Sequence, residues 1–365
     1  MAKKLFIAAT EQNCGKTTVS LSLLHLARQK YRRVGFMKPL GPKVASLNGI
    51  VVDKDAALMC QVFGMEEDLP YMSPVVIHPD STRKVLNGEL DPAAMKETML
   101  RAFAWLDQRC DFLIIEGSGH PGVGSVINLS NARVARLLGA KVLLITGGGV
   151  GSVIDAVAMN KVLFEKEGVE IRALLANKLL PEKRDSTLAY LRKAFAEEPF
   201  EVLGGFNYQP VLANPTLSRI AKILDLSMNG DPQGSNRIIH HVQIGAPSTQ
   251  RVMELLRDDT LLIVTSSRDE LLVTAANMYQ IPAYRKKIAG LLIPGIQNIS
   301  DITQQILDRC DVPYLRTTCH TTGKLYQIIS ADVHKIQAED QEKIAMIREL
   351  AELRINFAEL DALFS

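Results

Sequence analysis

Apolar runs and amphipathic stretches alternate along the first two hundred residues. LFIAA, RVGFMKPL, DFLIIEG, KVLLITG and IRALLANKL are short and almost continuously apolar, and FEVLGGF adds a possible sixth. Between them, residues 19–29, 91–106, 131–138 and 153–166 carry apolar side chains at three- and four-residue spacing. Strands buried on both faces and separated by one-sided helices predict a doubly wound, mostly parallel α/β sheet. Ligands in such sheets sit beyond the carboxyl ends of the strands, so the loops after LFIAA, FLIIE and LLIT should face one crevice.

The pattern changes at residues 206–237, where Pro, Asn and Gly surround a single short helix. This stretch is expected as a junction between a first domain, 1–205, and a second, smaller α/β domain, 238–337. The second domain has strand candidates in HHVQIGA, TLLIVTS, AGLLIPG and VPYLRTT, with helices in STQRVMELL, DELLVTAANMY and SDITQQILDRC between them. Residues 338–365 form a charged helical tail in which Ile344, Ile347, Leu350, Leu353 and Phe357 make a stripe, expected to pack on the second domain or on a partner subunit. A length of 365 residues suits this division, since domains commonly run to about 100–200 residues.

Composition narrows the function classes. The 42 basic and 40 acidic residues leave a formal charge of +2, so no global field points to nucleic acid or membrane. The basic start, MAKK, precedes an apolar run too short for a signal peptide, and no window reaches ~18 uninterrupted apolar residues. A cytoplasmic protein with small-molecule or protein partners is expected. Five scattered cysteines without C-x-x-C spacing suggest neither a disulfide framework nor a zinc site. Cys14, inside a loop that opens a helix, is expected to have a lowered pKa unless it is merely a small filler.

The candidate chemistry lies in ATEQNCGKTT, residues 9–18, between the first strand and the first helix. Gly15-Lys16-Thr17 in that context is a phosphate-binding signature: backbone N–H groups and a helix N-terminus converge, Lys16 reaches a β- or γ-phosphate and Thr17 can ligate Mg²⁺. The glycine that the strict pattern puts at the loop's start is absent. Lys38 ends a strand candidate, where it is either a second cation for phosphoryl transfer or a solvated lysine. Glu116 ends FLIIE, as a metal-side carboxylate or a strand-to-turn residue. Asp53 and Asp55 open a helix that either can cap, and Asp55 can also complete a Mg²⁺ shell. TGGGVGS at 146–152 is a glycine-rich loop suited to substrate or adenosine contacts or to a close strand-to-helix turn, with Asp155 as a possible cap, and Asn177 is an amide at a strand end, suited to adenine or to a turn. His120 and His320 are lone histidines in polar loops, either catalytic groups or bystanders, and the His240-His241 pair lacks a metal-ligand companion at useful spacing.

Taken in order, ATEQNCGKTTVS, FMKPLGP, DKDAAL, FLIIEGSG and LLANKL resemble dethiobiotin synthetase and the dethiobiotin synthetase-like amino-terminal region of phosphotransacetylases, over about residues 3–215. The family's loop begins with Gly where this chain has Ala9. The resemblance implies a P-loop NTPase-type fold that binds ATP and Mg²⁺ as a homodimer. It puts the nucleotide on Thr10, Glu11, Asn13, Cys14, Gly15, Lys16, Thr17, Thr18 and Asn177. It puts the metal on Thr17, Asp55 and Glu116, and catalytic ammonium groups on Lys16 and Lys38. On the substrate side, Leu40-Gly41-Pro42-Lys43 and Gln12 replace the family's hydroxyl residues. From about 210 to 330, VLANPTLSRIAKIL, TSSRDELLVTAANM and TTCHTTGKL resemble the junction and DRTGG domain of phosphotransacetylases. Arg268-Asp269 keep that motif's paired charges, while Leu292-Ile293-Pro294-Gly295 depart from its Thr-Gly-Gly element. The chain ends before an acetyl-transferring domain would follow, so it is not expected to be a phosphotransacetylase by itself. Two functions follow as expectations: an ATP-binding regulator or sensor whose second domain takes an unidentified small ligand, or an ATP-dependent ligase that phosphorylates a carboxylate or carbamate.

Overall fold

The apolar runs of the first two hundred residues become the strands of one sheet. The computed structural model describes residues 2–232, 234–331 and 336–364. Its strands are β1 (Lys3–Ala9), β2 (Val34–Met37), β3 (Leu40–Gly41), β4 (Val44–Leu47), β5 (Ile50–Asp53), β6 (Val75–Val76), β7 (Phe112–Glu116), β8 (Lys141–Thr146), β9 (Ile171–Ala176), β10 (Glu201–Gly204), β11 (Met228–Asn229), β12 (His241–Ile244), β13 (Thr260–Ile263), β14 (Ile288–Pro294) and β15 (Tyr314–Thr317). The α-helices are α1 (Lys16–Lys30), α2 (Lys54–Phe63), α3 (Leu69–Met72), α4 (Ser81–Leu86), α5 (Pro92–Arg109), α6 (Asn131–Leu137), α7 (Val150–Glu167), α8 (Arg184–Ala194), α9 (Leu217–Leu224), α10 (Thr249–Leu255), α11 (Asp269–Tyr279), α12 (Pro282–Lys287), α13 (Asp301–Cys310), α14 (Thr322–Ala331), α15 (Gln341–Arg354) and α16 (Phe357–Leu363).

The chain divides into two units, one of Met1–Gln209 with Ala345–Ser365 and the other of Pro210–Ile344. In the first, six parallel strands run in the order β10-β9-β8-β1-β7-β2. The turn at β1, with neighbours from later in the chain on both sides, makes the doubly wound arrangement. Helices cover both faces, so every residue of β2 and β7 is buried and the strand sequences carry no alternation. Two small sheets, β3 with β6 and β4 with β5, stand outside the main one and lie between β2 and α5 in sequence.

The returning tail belongs to this first unit. Phe357 packs edge-on against Phe112, with ring centroids 6.0 Å apart. Asp361, almost fully buried, accepts from Lys3 and Lys30 at 2.6 Å each and from the Tyr31 hydroxyl at 2.8 Å. In the expected stripe, Ile347 is buried whereas Leu353 is 72% exposed, so the buried face takes only part of it.

The second unit holds a five-stranded sheet in the order β11-β15-β14-β13-β12, with β11 antiparallel to β15 and the rest parallel. Leu262, Leu291 and Ile293 face one core with α11 and α13, while Leu261, Ile263, Leu292 and Leu315 face the other. The stretch expected as a junction contributes α9, whose Leu217, Ile220, Ala221 and Leu224 belong to that second core.

Candidate functional site

The loop after β1 is built by backbone geometry. Ala9 is still strand, paired with Ile145, and it is fully buried. The chain turns later, through positive φ at Asn13 (62°) and at Gly15 (95°), which caps the N-terminus of α1. A side chain at Gly15 would suffer twice, because its Cβ would also stand 2.5 Å from the Asn177 Nδ2. Three remote contacts hold the loop. Asn160 Nδ2 donates to Thr10 O at 3.1 Å, Thr10 Oγ1 bonds Thr146 Oγ1 at 3.3 Å, and Asn177 Nδ2 donates to Cys14 O at 2.8 Å. Glu11 and Asn13 are exposed on its outer side, and Thr18 lies partly buried in the first turn of α1.

Lys16, Lys38, Thr17, Asp55 and Glu116 come together at the carboxyl ends of β1, β2 and β7. Lys38 is not a surface lysine. It is 3% exposed, and its ammonium bridges Glu116 Oε1 at 2.7 Å and Asp55 Oδ2 at 2.9 Å. Burial disfavours its charge, but the Glu116 and Asp55 carboxylates outweigh burial and hold the group above its ordinary lysine range. The other oxygens of the two acids meet hydroxyls of α1: Thr17 Oγ1 donates to Asp55 Oδ1 at 3.2 Å, and Ser20 Oγ to Glu116 Oε2 at 2.6 Å. Thr17 and Ser20, three residues apart, share a helix face. Lys16 donates to Gly119 O at 2.9 Å, and burial lowers its pKa against the opposing pull of Glu116.

The two aspartates divide the work that sequence left open. Asp53 caps α2, accepting from the Asp55 N–H at 2.8 Å and the Lys43 N–H at 2.9 Å, and this frees Asp55 to face Lys38 and Thr17. Burial and then the Asp55 carboxylate raise the Asp53 pKa.

Several expectations change. The Cys14 thiol is pushed up, not down, because burial outweighs its hydrogen bonds with Thr10 and Glu11 and the nearby Lys16. Asp155 does not cap α7: the helix begins at Val150 with Gly149 as its cap, and Asp155 is exposed in the second turn. Asn177 is 2% exposed, and its carbonyl accepts from the Phe206 N–H at 2.9 Å while its amide holds the loop. His120 is exposed and accepts from the Gly122 N–H. In the second unit Arg268 donates to the carbonyls of Gly245, Ala246 and Pro247, and Asp269 accepts from Thr303 Oγ1 at 2.8 Å, so the motif's two charges brace loops and a neighbouring helix.

Sequence reasoning missed Ser20, Asn131 and Asn160. Asn131 fixes the loop after β7, with Nδ2 donating to Ser118 O and His120 O at 2.7 Å each, so it sets the position of the carbonyl that Lys16 meets. Ser20 was open to detection as the hydroxyl one helical turn beyond Thr17; the two asparagines carry no local signal.

This arrangement of loop, lysines and acids coincides with a family match. The AAA domain family (AAA_26) matches residues 3–216, more than half of the chain. The chain belongs to this family. Residues 219–330 match the DRTGG domain. Among curated relatives, the chain is 22% identical to the phosphate acetyltransferase of Nitratidesulfovibrio vulgaris, over 99% of this chain and 51% of that protein. It is 21% identical to that of Synechocystis sp., over 88% of this chain and 46% of that protein. The chain thus spans about half the length of these relatives. The ATP-dependent dethiobiotin synthetase BioD of Aromatoleum aromaticum is 28% identical over 52% of this chain and 84% of its own length. One solved structure, the CBS and DRTGG domains of the regulatory region of Clostridium perfringens pyrophosphatase complexed with diadenosine tetraphosphate, matches at 12% identity and a TM-score of 0.27, over 37% of this chain and 53% of that one. Among the described residues, no helix is long and apolar enough to cross a membrane.

Proposed function

We propose that this AAA domain binds Mg-ATP in the loop after β1 and that the protein is a nucleotide-dependent regulator or sensor acting through its DRTGG domain. The observation that carries the reading is the meeting of Lys16 and Lys38 with Thr17, Asp55 and Glu116 beside a loop whose turn depends on Gly15. The donor set fits Mg²⁺, which takes hard oxygen ligands such as a hydroxyl and carboxylates. Thr17, Asp55 and Glu116 would hold the ion, which when bound neutralises phosphate charge. The N–H groups at the start of α1 and the Lys16 ammonium would bind the phosphates. Asn177 would act first by fixing the loop through Cys14 O, with its remaining N–H left for an adenine edge. The regulatory part rests on the DRTGG match and on Leu40 and Gly41 on the acceptor side, whose carbonyls accept from the Ser118 hydroxyl and the Ile77 N–H.

A second reading, an ATP-dependent ligase that phosphorylates a carboxylate or carbamate, is favoured by Lys38. Two ammonium groups near one phosphate site suit the charge that moves in phosphoryl transfer. A homodimer belongs to the same proposal, and sedimentation with and without nucleotide tests it.

Calorimetric titration with Mg-ATP, beside Lys16→Ala and with ADP measured in the same samples, separates the readings. Binding that Lys16→Ala abolishes, without turnover, supports the regulator. Steady ADP release dependent on an added carboxylate or on bicarbonate supports the ligase. Wild-type protein that binds no Mg-ATP sinks both.

A further inference from the structure

The four oxygens of Asp55 and Glu116 already have partners. Thr17 and Ser20 take one oxygen of each acid, and the Lys38 ammonium takes the other of each, at 2.9 and 2.7 Å. Lys38 also donates to Gly117 O at 3.3 Å, so its three protons are all used. Glu116 is 1% exposed and Asp55 4%, so water contributes little to balancing their charge. Two buried carboxylates this close need a cation, and the chain supplies one of its own.

A divalent ion bound by both acids would need an oxygen from each, at about 2.0–2.1 Å for Mg²⁺. The oxygens open to it are those that face Lys38, or those that face the α1 hydroxyls. The ion and the ammonium would then stand within a few ångströms of each other in a buried site. Like charges at that spacing repel strongly where the effective dielectric is low. Lys16 adds a second positive charge nearby, which burial disfavours and the Glu116 carboxylate favours.

Building on the Mg-ATP reading, we infer that Lys38 is the resident cation of the Asp55–Glu116 pair and that it excludes a divalent metal until a polyphosphate arrives to accept the displaced ammonium. Metal and nucleotide then bind as one event, and bare Mg²⁺ leaves the site alone. Lys38 is in this sense a positioning and gating residue: it keeps the acids apart and oriented and offsets one of their two negative charges in the nucleotide-free protein.

The test needs no turnover. Mn²⁺ binding is measured by the loss of the free-ion electron paramagnetic resonance signal, without nucleotide, for wild type, Lys38→Met and Lys38→Arg. The thermal midpoint of each is followed as Mg²⁺ is added. Expected are no metal binding and no thermal shift for wild type and for Lys38→Arg. Lys38→Met should gain nucleotide-free Mn²⁺ affinity by about tenfold or more, and its midpoint should rise with metal. If Lys38→Met is too unstable to isolate without metal, folding restored by Mg²⁺ is the same result, and folding not restored by Mg²⁺ overturns the inference. Wild-type protein that binds Mn²⁺ as tightly without nucleotide as with it also overturns it, whatever the variants do. The nucleotide reading fails separately: wild type that binds no Mg-ATP, beside a Lys38→Met that gains Mn²⁺, would refute that reading and leave the resident cation standing.

Discussion

Gly15→Ala probes the loop most directly, because two independent costs fall on one methyl group. The residue sits at φ 95°, ψ 27°, a left-handed conformation that costs an L-residue roughly 1–2 kcal/mol. The new Cβ would also meet Asn177 Nδ2 at 2.5 Å and must push away the amide that donates to Cys14 O, a hydrogen bond worth about 0.5–1.5 kcal/mol. Together these give about 1.5–3.5 kcal/mol of destabilisation. The assay is denaturant unfolding followed through Trp105, the chain's one tryptophan, which stacks on Tyr71 at 3.9 Å and so reports on the first unit. A double-mutant cycle with Asn177→Ala separates the two costs. In that background the clash is gone and Gly15→Ala should cost only the backbone share, leaving a coupling of about 0.5–1.5 kcal/mol. A Gly15→Ala protein within about 0.5 kcal/mol of wild type would refute the conformational argument, and strict additivity with Asn177→Ala would refute the steric one.

Two further outcomes follow from the buried groups. Asp361 is buried, which opposes its charge, but Lys3, Lys30 and Tyr31 outweigh burial and hold its pKa below the ordinary carboxylate value. Its contribution, about 2 kcal/mol for a carboxylate with charged donors, is therefore complete above that ordinary value and lost as pH falls through the depressed one. Asp361→Asn should be less stable than wild type at neutral pH, and the two curves should converge in acid; parallel curves would show that the tail is held by its apolar contacts alone. For Cys14, burial of the thiol predicts alkylation at least about tenfold slower than at the exposed Cys319 in the folded protein, and mass spectrometry of partially alkylated protein would contradict this if Cys14 were modified first.

The large sheet was legible because its central strands are buried on both faces. LFIAA, DFLIIEG and KVLLITG are apolar without alternation, and β1, β7 and β8 form where they stand. The small sheets were not legible. β3 and β6 are two residues each, too short to carry a readable pattern, and they pair where Leu40–Gly41 and Val75–Val76 are brought side by side. The tail misled for a similar reason: its helical period was visible, but the partners of Asp361 lie in the first thirty-one residues, and no local pattern links them. At the site, residues that act through their own backbone neighbourhood, such as Gly15 and Asp53, could be found from order and spacing. Those whose role shows only across the chain, with no local signal of their own, could not, and Asn160 to Thr10, separated by 150 positions, is the clearest case.

Ala9 shows why pattern and geometry part company. A glycine is demanded only where the backbone takes a positive φ or where another group leaves no room for a Cβ. At the start of this loop neither holds, since Ala9 continues the parallel pairing with β8 and its methyl group is absorbed into a fully buried strand. Both hold at Gly15, six residues on. The conformational requirement of the loop is therefore concentrated at its end, where the N–H groups of α1 begin and where Asn177 arrives from β9. Replacing the first glycine by alanine leaves that geometry intact. Replacing the second would move the groups that any phosphate must meet.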